Sequence, residues 1–228
     1  MRFPHVLVVG AGQMGGGIAQ VLAGSERRVS LHDAAPGAVE RGLAAIGKSL
    51  ERLAAKGAEI DPDDVLGRVT AVDGIVPADL MIEAVVEDPA VKEAIFREAD
   101  SVLPAEAILA SNTSSIPIAS LAAATSRPDK VIGMHFFNPV PVMALVEVVS
   151  TKETSPETKA AVVELAQELG KTPAEANDFP GFVSNRILLP SSTRPSGRST
   201  TASPSRRRST RSPSSGSTTR WARWLSPT

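Results

Sequence analysis

Val6-Leu-Val-Val-Gly-Ala-Gly-Gln-Met-Gly15 is the stretch on which the fold turns. The apolar run Val6 to Val9 has the look of a buried parallel strand, and it ends in Gly10. Gly10, Gly12 and Gly15 then form a G-x-G-x-x-G turn, and Ile18, Ala19, Val21 and Leu22 give the stripe of a helix. In that setting Gly10 allows a tight turn, Gly12 lets the backbone approach a pyrophosphate, and Gly15 lets helix and strand pack closely. Phosphates would sit at the helix N-terminus, where free N–H groups and the helix dipole favour negative charge. A second strand, Arg28 to Asp33, follows the turn at Gly24, and its terminal Asp33 lies 18 residues after Gly15. An acid there accepts from ribose hydroxyls and repels a 2′-phosphate. Ala34 and Ala35 supply no arginine, so the pattern selects NAD over NADP. A glycine turn alone is an ordinary structural turn. Its place between strand and helix, with an acid closing the next strand, makes it a dinucleotide fingerprint.

Outward from this unit, strands and helices alternate. Val39, Leu43, Ile46, Leu50 and Leu53 step by four and three along a helix face, and Gly57 is a natural stop. Strands are expected at Leu80–Ala84, Ala107–Ala110, Val131–Met134 and Leu145–Val149, with a helix over Pro89–Ala99 between the first two. Ser155-Pro156-Glu157 opens another helix with an N-cap, a first-turn proline and an acid at the positive end. The alternation predicts an α/β fold of the Rossmann type, a doubly wound, mostly parallel sheet with helices on both faces. No internal repeat is visible.

The chain has 228 residues and no cysteine, which excludes a disulfide scaffold, a Cys-ligated zinc and a thiol nucleophile. No metal is expected. No apolar run reaches the length of a membrane span, and Met1-Arg2-Phe3-Pro4 leads straight into the first strand. A soluble cytoplasmic protein without a signal peptide or membrane partner is therefore expected. The near-neutral total hides a split: residues 191–228 carry eight arginines and no acid, so the first 190 are strongly acidic. That tail, rich in Ser and Thr, has only Ala202, Ala222 and Leu225 as aliphatic residues and is expected to be disordered.

Three histidines exist. His5 and His32 flank strands near the fingerprint and read as structural or solvent-facing. His135 ends a strand and is followed by the proline-marked Phe136-Phe-Asn-Pro-Val-Pro-Val-Met143. Ligands meet an open α/β sheet at the carboxyl ends of its strands, where an imidazole can shuttle a proton. Glu147 lies in the next apolar strand, where a carboxylate needs a partner, and a Glu–His pair would fix the ring's tautomer. From spacing alone, a structural histidine is as good a reading as a catalytic one.

Five blocks decide it: Gly10-Ala-Gly-Gln-Met-Gly-Gly-Gly-Ile-Ala-Gln20, Ile82-Glu-Ala-Val-Val-Glu-Asp88, Ser111-Asn-Thr-Ser-Ser115, His135 to Met143, and Pro180-Gly-Phe-Val-Ser-Asn-Arg186. In this order they resemble the 3-hydroxyacyl-CoA dehydrogenase family, especially its short bacterial members acting on 3-hydroxybutyryl-CoA. The resemblance implies reversible NAD-dependent oxidation of an (S)-3-hydroxyacyl-CoA to the 3-oxoacyl-CoA. It implies His135 as base, Glu147 as its orienting partner, and Ser114 and Asn185 as hydrogen-bonding partners of the reacting oxygen or acyl group. Without it, Ser114 is a turn serine and Asn185 a helix N-cap. Gln13, Met14, Glu87, Lys92 and Asn138 match cofactor-contact positions beside the three glycines and Asp33, and Ser49 and Lys56 match contacts to the CoA phosphates. Ser49, Arg52 and Lys56 also read simply as the solvated face of an amphipathic helix. A related β-hydroxyacid dehydrogenase, using lysine for proton transfer, is disfavoured by the His135–Glu147 pair.

The resemblance divides the chain into an NAD-binding domain over residues 1–182 and the start of a helical substrate and dimerisation domain over 183–190. Family members form homodimers through that domain, but here residues 191–228 follow instead. Thr218 to Leu225, read one base earlier, permits His-Pro-Met-Gly-Pro-Leu-Ala, a family motif of the helical domain. Ser191 to Pro195 in the same frame permits Leu-Ile-Asn-Glu-Ala. A frameshift just after Leu189 is therefore expected, in preference to an arginine tail that binds nucleic acid. A catalytically impaired remnant without its helical half is the alternative to an active enzyme.

Overall fold

A computed structural model describes residues 2–178. Their eight strands form one sheet in the order β3-β2-β1-β4-β5-β6-β7-β8. The strands are β1 (His5–Val9), β2 (Arg28–His32), β3 (Val69–Ala71), β4 (Leu80–Glu83), β5 (Ile108–Ser111), β6 (Val131–Phe136), β7 (Leu145–Ser150) and β8 (Thr172–Asn177). Among the described residues only the β6–β7 pairing is antiparallel. The helices are α1 (Gln13–Gly24), α2 (Ala38–Ala55), α3 (Pro62–Gly67), α4 (Pro89–Val102), α5 (Ile118–Ala123) and α6 (Pro156–Glu168).

The continuous apolar strands have a simple cause. Successive side chains of a strand point to opposite faces, and here both faces are covered. Val6 and Val8 of β1 enter one core with Ile18, Leu22, Ile46 and Leu165 from α1, α2 and α6. Leu7 and Val9 enter the other with Phe96 of α4 and Leu121 of α5. Phe96 is fully buried, and truncating it to alanine costs about 3–5 kcal/mol in such a site.

Local chemistry sets the element ends. Asp88 caps α4 by accepting from Ala90 and Val91 N–H, with Pro89 next, and Ser155 caps α6 through Thr158 N–H. Gly57, at φ +90°, stops the chain just past α2. The helix face foreseen on α2 is real, with Val39, Ile46 and Leu50 buried and Leu43 and Leu53 half-buried.

Strand order reverses between β1, which leads to β2 and β3, and β4, which leads away from them. Ligands of doubly wound sheets bind outside the carboxyl ends at such a point. The expected boundary at residue 182, the helical start at 183–190 and the tail at 191–228 lie outside the described residues. Among the described residues no helix is long and apolar enough to cross a membrane.

Candidate active site

The cradle is made of backbone. Gly10 N–H donates to His32 O at 2.7 Å and Ala84 N–H to Val9 O at 2.7 Å, tying the β1–α1 turn to strands on both sides. A Cβ on Gly15 would lie 1.7 Å from Gly10 O, so only glycine lets α1 start this close to β1. A Cβ on Gly12 would meet nothing within 4 Å, so the approach there is open. Gly12 is also the N-cap of α1, no side chain caps it, and no acid occupies the first turn. The leading N–H groups of α1 are thus aimed at an opening that suits an anion.

Asp33 stands immediately after β2, not within it. Its carboxylate accepts from Ala11 N–H and Ala35 N–H, both at 2.8 Å, and these bonds hold it at the turn. Acceptor capacity remains on both oxygens for ribose hydroxyls. A cavity of about 640 Å³ runs from this turn along α2 to the loop after β6, and its walls include Gly12, Gln13, Asp33, Ser49, Val86 and Asn138. The cavity, the bare helix end and the acid fit a dinucleotide. Met14 is half-buried against the core, and Lys56, exposed just past the end of α2, does not join Ser49 on the cavity wall.

His135 and Glu147 face each other across the antiparallel β6–β7 ladder. Opposed residues on one face of such a ladder are close enough for their side chains to meet. His135 Nδ1 lies 2.9 Å from Glu147 Oε2, with side chains 11% and 2% exposed. A carboxylate only accepts, so Nδ1 carries the proton and Nε2 is left as the basic nitrogen. Phe137 packs on the imidazole at a ring-centroid distance of 4.7 Å. His5 and His32 are structural: His5 Nε2 pairs with Ser30 Oγ at 2.9 Å, and His32 Nδ1 accepts from Gly74 N–H at 3.0 Å.

Ser114 lies in a turn organised by one carboxylate. Glu87 Oε1 accepts from Thr113 Oγ1 at 2.5 Å, Ser114 N–H at 3.0 Å, Ser115 N–H at 3.1 Å and Ser115 Oγ at 3.0 Å, with Ser114 Oγ at 3.4 Å. Partial burial pushes this carboxyl up. The Thr113 hydroxyl, the Lys92 charge and the Ser114 and Ser115 donors outweigh that and hold its pKa at about 2. Lys92 is itself buried, so its ammonium meets Glu83 and Glu87 rather than open cavity.

Several supporting residues escaped the sequence reading. Glu83, at the end of β4, is fully buried and holds Lys92; a carboxylate closing an apolar strand was the available signal, as for Glu147. Asn112 Oδ1 accepts from Phe136 N–H at 2.8 Å, joining the Ser114 turn to the His135 strand. Lys171 donates to Val140 O at 2.6 Å and Met143 O at 2.9 Å, clamping the loop that carries Asn138. Asp178 caps the start of α5 through Ile118 and Ala119 N–H. Asn185 lies outside the described residues.

Residues 5–179 match the family model described as 3-hydroxyacyl-CoA dehydrogenase, NAD binding domain. A probable 3-hydroxybutyryl-CoA dehydrogenase of Deinococcus radiodurans is 52% identical over 187 residues, covering 80% of this chain and 67% of that protein. Its counterpart in Bacillus subtilis is 49% identical over 195 residues, covering 83% of this chain and 68% of that protein. The crystal structure of (S)-3-hydroxybutyryl-CoA dehydrogenase from Ralstonia eutropha superposes with a TM-score of 0.79 at 44% identity, covering 83% of this chain and 69% of that one.

Proposed function

The chain belongs to the 3-hydroxyacyl-CoA dehydrogenase family, an NAD-dependent oxidoreductase family, and from that premise we propose that it interconverts a short (S)-3-hydroxyacyl-CoA, of the 3-hydroxybutyryl class, and its 3-oxoacyl-CoA. Held by the glycine turn and Asp33, the nicotinamide cofactor would supply the hydride chemistry at C3, as NAD⁺ for the alcohol and as NADH for the ketone. His135 Nε2 takes the hydroxyl proton in oxidation and gives it back in reduction. The bond from Nδ1 to Glu147 fixes that tautomer and stabilises the ring when both nitrogens carry protons. Ser114 and Asn185 hydrogen-bond the reacting oxygen, whose negative charge grows as its proton leaves. Asn138, on the cavity wall, would stand beside the nicotinamide when the cofactor binds, while Ser49 on that wall and Lys56 just past the end of α2 would serve the CoA phosphates.

The observation that carries this reading is the His135–Glu147 pair at 2.9 Å, set at the same edge of the sheet as the glycine turn. The test is NADH oxidation with acetoacetyl-CoA, followed at 340 nm beside NADH binding by fluorescence. Turnover that vanishes in His135→Gln, with binding intact, is the expected result. NADH binding with no turnover in the unaltered chain would instead identify a catalytically impaired remnant, the reading favoured if the helical half is absent. Retention of full activity by His135→Gln would transfer the acid–base role to another residue.

A further inference from the structure

Three ionisable groups sit in a row at the carboxyl ends of β4 and β5. Glu83 Oε1 accepts from Lys92 Nζ at 2.6 Å and from Val85 N–H at 2.7 Å, while Oε2 accepts from Ser111 Oγ at 2.7 Å. Both charged side chains of this pair are almost completely buried, at 1% exposure for Lys92 and 0% for Glu83. The same ammonium reaches Glu87 Oε2 at 3.3 Å, and Glu87 is 38% exposed. The fold does not require such an arrangement, since an apolar pair of similar volume commonly serves a core as well as a buried ion pair.

Their charges do not cancel. Glu83 matches Lys92 inside the protein, so the carboxylate of Glu87 is the surplus, and it is the member that reaches solvent. Val86, next to it, is a wall of the same cavity as Gly12 and Asn138. The nicotinamide ring is a cation in NAD⁺ and neutral in NADH, so a net negative group beside it discriminates between the two.

We propose that Glu83 tunes the oxidation-state preference of the bound cofactor: by neutralising Lys92 in the interior, it leaves the Glu87 carboxylate unbalanced toward the nicotinamide and favours NAD⁺ over NADH. Glu83 is a positioning residue in this scheme, acting through Lys92 and Glu87. The proposal rests on the reading that Glu87 faces the cofactor. With Glu83 neutral, Lys92 turns its whole charge on Glu87 and the discrimination fades.

The test is the separate affinity of the full chain for NAD⁺ and for NADH, by calorimetry and fluorescence, in Glu83→Gln and in Glu83→Gln/Lys92→Met. Glu83→Gln is expected to raise the ratio Kd(NAD⁺)/Kd(NADH) about fivefold, and the rise should shrink at high salt. The double variant removes one charge of each sign and should restore the original ratio. Should Glu83→Gln not fold, Glu87→Gln must raise the ratio while the double variant leaves it unchanged; any other pattern in these two overturns the proposal. In folded Glu83→Gln, equal losses of both affinities would overturn it by making Glu83 merely structural. No response of either affinity in any of these variants would overturn the underlying placement of Glu87 as well.

Discussion

The two working parts of this molecule are built from opposite materials. At the β1–α1 turn recognition is done by main chain, with Gly10, Gly12 and Gly15 removing side chains so that N–H groups reach the opening. At the β6–β7 ladder it is done by side chains, with His135 and Glu147 held opposite each other by strand register. A backbone device fails through shape, so adding an atom destroys it. A side-chain device fails through chemistry, so an isosteric change destroys it and leaves the shape. The turn is therefore expected to respond to volume and the ladder to charge and proton affinity.

The sharpest separation comes from His135→Gln, which should lower kcat about a thousandfold, within the usual reach of general acid–base catalysis, with NADH affinity unchanged. Stopped-flow turnover beside fluorescence titration checks it, and a parallel loss of binding would break the contrast. Gly15→Ala should do the reverse. Its Cβ would fall 1.7 Å from Gly10 O, so NADH affinity should drop about a hundredfold through displacement of the turn, with a lowered melting temperature. Unchanged affinity in that variant would mean the turn is not the cradle.

Lys171→Met tests whether the loop carrying Asn138 is shaped by its ammonium clamp. Losing the two carbonyl contacts at 2.6 and 2.9 Å should lower kcat/KM about tenfold, with a smaller change in NADH affinity. Arginine at the same position should recover part of the loss. The smallest effect concerns acid stability. The carboxyl of Glu87 is held at about 2 in the folded protein against an ordinary 4.5, so the unfolded chain binds more protons between these values. Stability from this group is present above the ordinary value and is lost as pH falls from about 4.5 toward about 2. Glu87→Gln should flatten that part of a melting temperature–pH curve by a small margin, because the group is 38% exposed and partly screened by solvent.

What the sequence disclosed follows the same division. β1, α1 and β2 were legible because an apolar run, glycine spacing and a terminal acid are all local signals. β3 was not foreseen, because only Val69 of its three residues is buried. Nor was β8, whose Thr-Pro-Ala-Glu-Ala-Asn has no apolar run and survives as an edge strand, where Pro173 costs little. The start of α3 does carry a local signal, the cap and proline Asp61-Pro62, but its six residues bury only Val65 and leave no apolar stripe. His135 was expected at a strand's end, and pairing with Glu147 followed from adjacency of two strands. Depth was the illegible quantity. Lys92 matches a cofactor-contact position by resemblance, and nothing in the sequence discloses that Glu83 and Glu87 enclose it, a fact that depends on how far α4 sinks against β4 and β5.

The pairing of His135 with Glu147 through ladder register has one more consequence. A slip of β7 by one position would swing every side chain of that strand to the reverse of the sheet, bringing Val146 or Val148 opposite the imidazole. No intermediate arrangement keeps half the contact. A one-residue deletion inside β7 should thus behave as an on–off lesion, whereas one in the connecting loop leaves the strand's parity intact.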